Sequence, residues 1–172
     1  MNLQSSDFEL FGVPMQFAQD RAALDARWKD LQREAHPDKF AAQGAVARRV
    51  AMQWSVRINE AYQRLKDPLK RAMYLCELHG APINAETNTA MPADFLQQQI
   101  EWRETLDEAG TPQSIEEIAV NLNKDIREQL LNLEQLIDSH QDFPAASRQV
   151  RSLMFVERFA TEVDARRDQL GQ

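Results

Sequence analysis

A few side chains in this 172-residue sequence have the type and spacing to do chemistry. His36-Pro37-Asp38 sets an imidazole and a carboxylate on either side of proline, which fixes its own φ and restricts His36, so Asp38 is held on a stiff corner. Glu104 and Glu108 stand one helical turn apart, and His79 adds a third titratable group, a set that general acid–base or metal chemistry could use. No nucleophile or Gly-rich site accompanies them, and acidic residues on helix surfaces are usually solvated. Cys76 is the single cysteine, and His36, His79 and His140 are scattered rather than spaced as metal ligands. The five glycines, at 12, 44, 80, 110 and 171, form no phosphate-cradling loop. These residues point to presentation of groups to a partner, with no enzyme activity, cofactor or resident metal expected.

The elements that must position them read as all-α. Between the glycines and prolines, apolar residues recur at helical spacing. A short helix fits Asp7 to Phe11, capped by Ser5 or Ser6 and stopped by Gly12-Val13-Pro14. From the N-cap Asp20, the stripe Leu24, Trp28, Leu31 and Ala35 marks a helix that His36-Pro37 ends. A longer one begins near Ala45, carries Val50, Trp54, Ile58, Ala61 and Leu65, and ends at Asp67-Pro68. The two should form an antiparallel hairpin across a short loop. Leu69 to Leu78 continue as one more helix. Residues 79–91 lack period and apolar density and read as a linker. Beyond it, helices are expected from Pro92 to about Ala109, from a capping box at Ser114 and Glu117 to about His140, and from Pro144 to near Leu170, a three-helix bundle over 92–172.

The formal charge is −7, so a surface built to neutralise nucleic-acid phosphates would have to be local, and no nucleic-acid partner is expected. That charge is unevenly divided: residues 1–78 hold 12 basic and 10 acidic side chains (+2), whereas 79–172 hold 8 and 17 (−9). Two halves so different should meet different partners. A polar start and the lack of long apolar runs argue against a signal peptide or a membrane span, so the chain is expected to be cytoplasmic.

The first half resembles a J-domain. The resemblance is carried by Asp7-Phe8-Glu9-Leu10-Phe11-Gly12-Val13, by His36-Pro37-Asp38-Lys39 and by Ile58-Asn59-Glu60-Ala61-Tyr62-Gln63-Arg64-Leu65-Lys66-Asp67-Pro68. It implies a helical hairpin over residues 1–78 whose tripeptide loop activates ATP hydrolysis by a heat-shock chaperone of the DnaK and HscA kind. It further implies that Asp38 pairs with an arginine of that chaperone while His36 and Pro37 shape the loop. Helical geometry puts Lys29 and Arg33 opposite the apolar stripe and Arg27 beside it. These cations resemble the family's docking face, although Asp25 and Asp30 interleave with them.

The second half lacks the Gly/Phe-rich and zinc regions of general J-proteins. The whole chain instead resembles the HscB family of iron–sulfur co-chaperones, through Arg71-Ala72-Met73-Tyr74-Leu75-Cys76-Glu77-Leu78-His79-Gly80, Phe95-Leu96 and Glu101-Trp102-Arg103-Glu104-Thr105-Leu106-Asp107-Glu108. On the helix from Pro92, Phe95, Trp102, Leu106 and Ala109 share about 60° of arc as a core stripe. Leu96 and Ile100 lie off it and continue through Glu104 and Glu108 as one ridge, which either packs on the third helix or faces a partner. Phe155 falls off the Leu153-Val156-Ala160-Val163 face, a placement compatible with exposure. The resemblance implies that Leu96, Gln97, Ile100, Glu101, Glu104, Glu108 and Phe155 contact the scaffold protein IscU, with Gln97 polar where an apolar residue is expected. It implies that the chain presents IscU to HscA, and a monomer is expected. A J-protein serving a DnaK-type chaperone and another client remains the alternative.

Overall fold

A computed structural model describes residues 2–83 and 93–171. The described residues form only helices, in the order α1 (Asp7–Phe11), α2 (Arg21–Glu34), a 3-10 helix (Pro37–Gln43), α3 (Ala45–Lys66), α4 (Pro68–Leu78), α5 (Ala93–Glu108), α6 (Pro112–Glu134), a π-helical turn (Gln135–Ser139) and α7 (Phe143–Leu170). The chain divides into two compact units, Met1–Leu75 and Cys76–Gln172. No helix among the described residues is long and apolar enough to cross a membrane. Residues 84–91 of the expected linker, and Pro92 as helix opener, lie outside the described residues.

In the first unit, Ser6 caps α1 by accepting from the Glu9 amide at 3.1 Å, and Gly12 ends it at φ 64°, a conformation that costs other residues a Cβ clash. Alone, five residues could not hold a helix. Tertiary contacts hold this one: Phe8 stacks on Tyr74, Phe11 on Tyr62, and Phe8, Leu10 and Phe11 are buried. The fully buried Asp7 carboxylate takes Arg64 Nε at 2.6 Å and Arg57 Nη1 at 2.7 Å, while its backbone amide donates to the Tyr74 hydroxyl at 3.0 Å. Arg57 also donates to the Leu3 and Ser5 carbonyls, which ties the chain before α1 to α3.

The expected hairpin is held in register by four polar links. Arg21 donates to the Lys66 carbonyl, Tyr62 to Asp25, Trp28 to Asn59 at 2.9 Å, and Ser55 to Gln32 at 2.8 Å. Each step forward along α2 is matched by an equal step back along α3, so the helices run antiparallel without slip. The Tyr62 hydroxyl and then Arg21 stabilise the Asp25 carboxylate and hold its pKa below the ordinary value. Three features differ from the sequence reading. The interhelical loop contains a 3-10 helix, because His36 caps Pro37–Gln43 and proline suits its first position. Ala51 rather than Val50 is fully enclosed at the start of α3. Val50 is 45% exposed because α2 has already ended opposite it, leaving an apolar groove of about 500 Å³ lined by Leu31, Phe40, Val50, Trp54 and Ile58.

The second unit packs α6 antiparallel to α7, linked by Asn132 to Gln149 and Glu116 to Arg167. α5 runs in the same direction as α7, since Phe95, Trp102 and Arg103 meet Phe155, Phe159 and Glu162 in order. α6 starts with a capping box made by Thr111 and Ser114, not by Ser114 and Glu117, because Pro112 fills the first helical position and leaves Thr111 as the cap. Asp142 caps α7 through the Ala145 amide at 3.1 Å, so the helix starts at Phe143, one residue ahead of the expected Pro144. The described part of the expected linker packs on α7: Ile83 is buried, and the Pro82 and Ile83 carbonyls accept from Ser147 and Arg151.

Two measurements test these packings. Replacing Asp7 with Asn leaves Arg57 and Arg64 facing each other without a counter-charge, and should lower the stability of the first unit by about 3 kcal/mol. Amide exchange along α3 should speed up accordingly, and unchanged protection would show that the pair contributes nothing. Burial pushes the Cys76 thiol up to about 11. Because the unfolded thiol ionises first, its contribution is intact below pH 9 and is lost as pH climbs towards 11. A thiol probe at pH 8 should label the folded chain slowly and the urea-unfolded chain fast; equal rates would contradict the enclosure.

Candidate functional site

The tripeptide sits where α2 stops. His36 is extended at φ −62° and ψ 129°, as a residue before proline must be, and Pro37 then starts the 3-10 helix. His36 Nδ1 accepts the Asp38 amide at 3.2 Å, which requires that nitrogen to be unprotonated, and the Lys39 amide closes the turn on the His36 carbonyl at 3.0 Å. With its backbone fixed this way, the Asp38 side chain is 93% exposed and, among the described residues, meets His36 Nδ1 at 3.6 Å. A carboxylate presented on a rigid corner with most of its lone pairs free suits bidentate pairing with a guanidinium.

Lys29 and Arg33 are exposed on α2, and Arg27 is half-buried beside them. The acidic residues among them are paired: Asp25 takes Tyr62 and Arg21, and Asp30 meets Arg33 at 3.8 Å, so Arg27 and Lys29 stay without an ion pair among the described residues. Lys39 is exposed next to the tripeptide. All seven residues expected at a chaperone contact therefore lie on α2 and the loop that follows it.

Leu106 on α5 and Ala109 just after it are buried, and Phe95 and Trp102 are half-buried, which turns the opposite side of α5 outward. Leu96 and Ile100 lie in solvent at 47% and 60% exposure rather than against α7. Gln97, Glu101, Glu104 and Glu108 are exposed around them. Gln97 donates to Glu101 at 3.5 Å, so the polar residue in an expected apolar position belongs to the carboxylate rim. Phe155 is half-buried: Phe95 packs edge-on at 6.2 Å and the Arg158 guanidinium lies 5.3 Å from the ring centroid. Its ring supports α5 from beneath, and only part of it is open to contact.

Other titratable candidates are engaged elsewhere. His79 stacks on Phe143 at 3.9 Å, and Arg71 is buried with Nη1 donating to the Leu65 carbonyl at 2.6 Å. The described residues contain no group of three His, Cys, Asp or Glu side chains able to share a metal ion. The sequence reading overlooked Arg48 and Arg49, exposed on α3 and unpaired among the described residues. Their signal was available, since no acidic residue occurs between Asp38 and Glu60.

Comparison with known proteins agrees with this arrangement of two compact helical units. Residues 91–164 match the family model described as the HSCB C-terminal oligomerisation domain. The co-chaperone protein HscB homolog of Burkholderia multivorans is 47% identical over 99% of this chain and 98% of its own length, and that of Burkholderia thailandensis is equally similar. Among solved structures, chaperone HscB from Vibrio cholerae superposes with a TM-score of 0.85 at 34% identity, covering 96% of this chain and 99% of the other. Human co-chaperone HscB gives 0.90 at 27% identity, covering 96% and 83%. Likeness of this extent, running through both units, means that the chain belongs to the HscB family of co-chaperones.

Proposed function

We propose that this chain is an adaptor between an HscA-type heat-shock ATPase and the iron–sulfur scaffold protein IscU, and that it promotes cluster transfer by bringing the two together. The observation that carries the reading is the Asp38 carboxylate, 93% exposed on a proline-fixed corner at the end of a cationic helix. In this reading Asp38 pairs with a chaperone arginine and triggers ATP hydrolysis on the chaperone. His36 and Pro37 hold the loop, and Arg27, Lys29, Arg33 and Lys39 speed and orient encounter. Leu96 and Ile100 supply buried aliphatic area to IscU, with Gln97, Glu101, Glu104, Glu108 and the open part of Phe155 around them. Tethering on one chain raises the effective concentration of scaffold at the chaperone and needs no chemistry from the adaptor.

Single-turnover ATP hydrolysis by HscA, with this chain, with IscU and with both, tests the reading. Stimulation should be greatest with both proteins. Asp38→Asn should abolish it while leaving the helical circular dichroism unchanged, since the side chain makes no contact the fold relies on. Retained stimulation would overturn the loop assignment, and stimulation indifferent to IscU would overturn the choice of client. Truncating Leu96 and Ile100 together to alanine should weaken IscU binding by about 2 kcal/mol, roughly thirtyfold, in titration calorimetry. HscA stimulation by the variant alone should be unaffected.

A further inference from the structure

A cavity of about 280 Å³ lies within the second unit, on a side of α5 turned away from the Leu96 and Ile100 ridge. Trp102 of α5 and Phe159 of α7, stacked at 5.5 Å, meet Ile118 and Leu122 of α6 there, so its walls are aromatic and aliphatic. Its polar groups are biased towards acceptors. The half-buried Asp125 takes Gln129 on Oδ2 at 2.8 Å, and its other oxygen has no hydrogen-bond partner among the described residues. The Thr105 hydroxyl donates its proton to the Glu101 carbonyl at 2.8 Å, which leaves only its lone pairs for the cavity. No lysine or arginine among the described residues lines the space. Neighbouring cations point elsewhere: Lys124, one residue before Asp125, stands about 100° round α6, and Arg103 is bound to Glu162 at 3.0 Å. A carboxylate with a free oxygen, an acceptor-only hydroxyl and no counter-charge thus converge over apolar walls.

We propose that this cavity is a binding site for a small organic cation, an amine or amidine carried on a flat or aliphatic body. The cationic N–H groups donate to Asp125 Oδ1 and Thr105 Oγ1, and the body lies against Trp102, Phe159, Ile118 and Leu122. The Gln98 and Asn121 side-chain amides, which have no hydrogen-bond partner among the described residues, turn their oxygens to the same cation. Ligand pockets run to roughly 300–1,000 Å³, and one at the small end suits a single ring or a short chain, not a nucleotide. Charge decides the choice among ligands of that size: a neutral one leaves Asp125 uncompensated, and an anion is repelled by it. With one charged contact and about ten non-hydrogen atoms, the complex is weak, with a Kd on the order of 0.1–1 mM. Its walls come from three helices, so an occupant braces α5 against α6 and α7. The site goes beyond the adaptor reading and does not depend on what the chaperone or scaffold does.

Titration of the isotopically labelled full chain with benzamidine, to about 10 mM and read by proton–nitrogen correlation spectra, provides the test. Saturable shifts should appear at the Trp102 indole N–H and at the Asn121, Leu122 and Asp125 amides. Benzamide, neutral and of nearly the same shape, should bind at least about tenfold more weakly, and benzoate should leave these signals unmoved. Asp125→Asn keeps an acceptor for Gln129 while removing the charge, and should weaken benzamidine by at least about tenfold. Thr105→Val, at an exposed position, should weaken it by about threefold. Each unliganded variant should give the parent spectrum away from the substituted residue, and the comparison with benzamide needs no variant. No saturable shift at these residues by about 10 mM overturns the proposal. So does equal affinity for benzamide, unaltered affinity in Asp125→Asn, or shifts confined to Glu101, Glu104 and Glu108, which would mark adventitious pairing with surface acids.

Discussion

The buried carboxylate of Asp7 fixes more of the first unit than any other group. A fully enclosed charge is tolerated only with partners, and here Arg57 and Arg64, seven residues apart on α3, approach it from the same face of that helix. Because α1 is too short to be stable by itself, this pair and the Phe8 and Phe11 stacks make α1 a wedge that sets the rotation of α3. That rotation determines what α3 presents. Ile58, Ala61 and Leu65 go inward, the α2 register follows from Asn59 and Tyr62, and Met52 and Val56 are left outside. The position of the tripeptide at the end of α2 is thus tied to a charge well away from it in the sequence.

The two units solve opposite electrostatic problems with the same element. In the first, Asp25 is occupied by Tyr62 and Arg21 and Asp30 pairs with Arg33, which leaves Arg27 and Lys29 on α2 without an ion pair among the described residues. In the second, Arg103, the lone cation of α5, is drawn to Glu162 on α7, so the carboxylates of the ridge keep a negative field. On α5 composition already sets the sign, with five carboxylates against one guanidinium, and the Arg103 ion pair sharpens it.

Much of this was legible in the sequence because proline, glycine and capping residues act locally. Pro37, Pro68 and Gly12 end or begin elements where their own backbone restrictions demand, and the 3.6-residue period set the buried face of α2 and most of α3. The ridge on α5 was legible as a ridge, but packing on the third helix and facing outward stayed open until the structure put Leu96 and Ile100 in solvent. What escaped detection depended on distant pairing. Asp7 reads as an ordinary first-turn acid until Arg57 and Arg64 are brought to it. Val50 fits the apolar stripe, and only the early end of α2 uncovers it. Thr111 lost the cap position to Ser114 in the pattern because both are good caps, and the decision lay with Pro112. Ile83 belongs to a segment without periodicity, and its burial comes from a carbonyl held by Arg151 and from contact with α7.

The enclosure of Cys76 has a meaning for ligand exchange. A thiol becomes a good iron ligand only as the thiolate, and burial keeps this one protonated far above neutral pH. Under the proposed function, the chain must touch the protein around a cluster without competing for the metal inside it. With its single thiol closed off beneath the Phe143 carbonyl, this one offers iron no thiolate to migrate to.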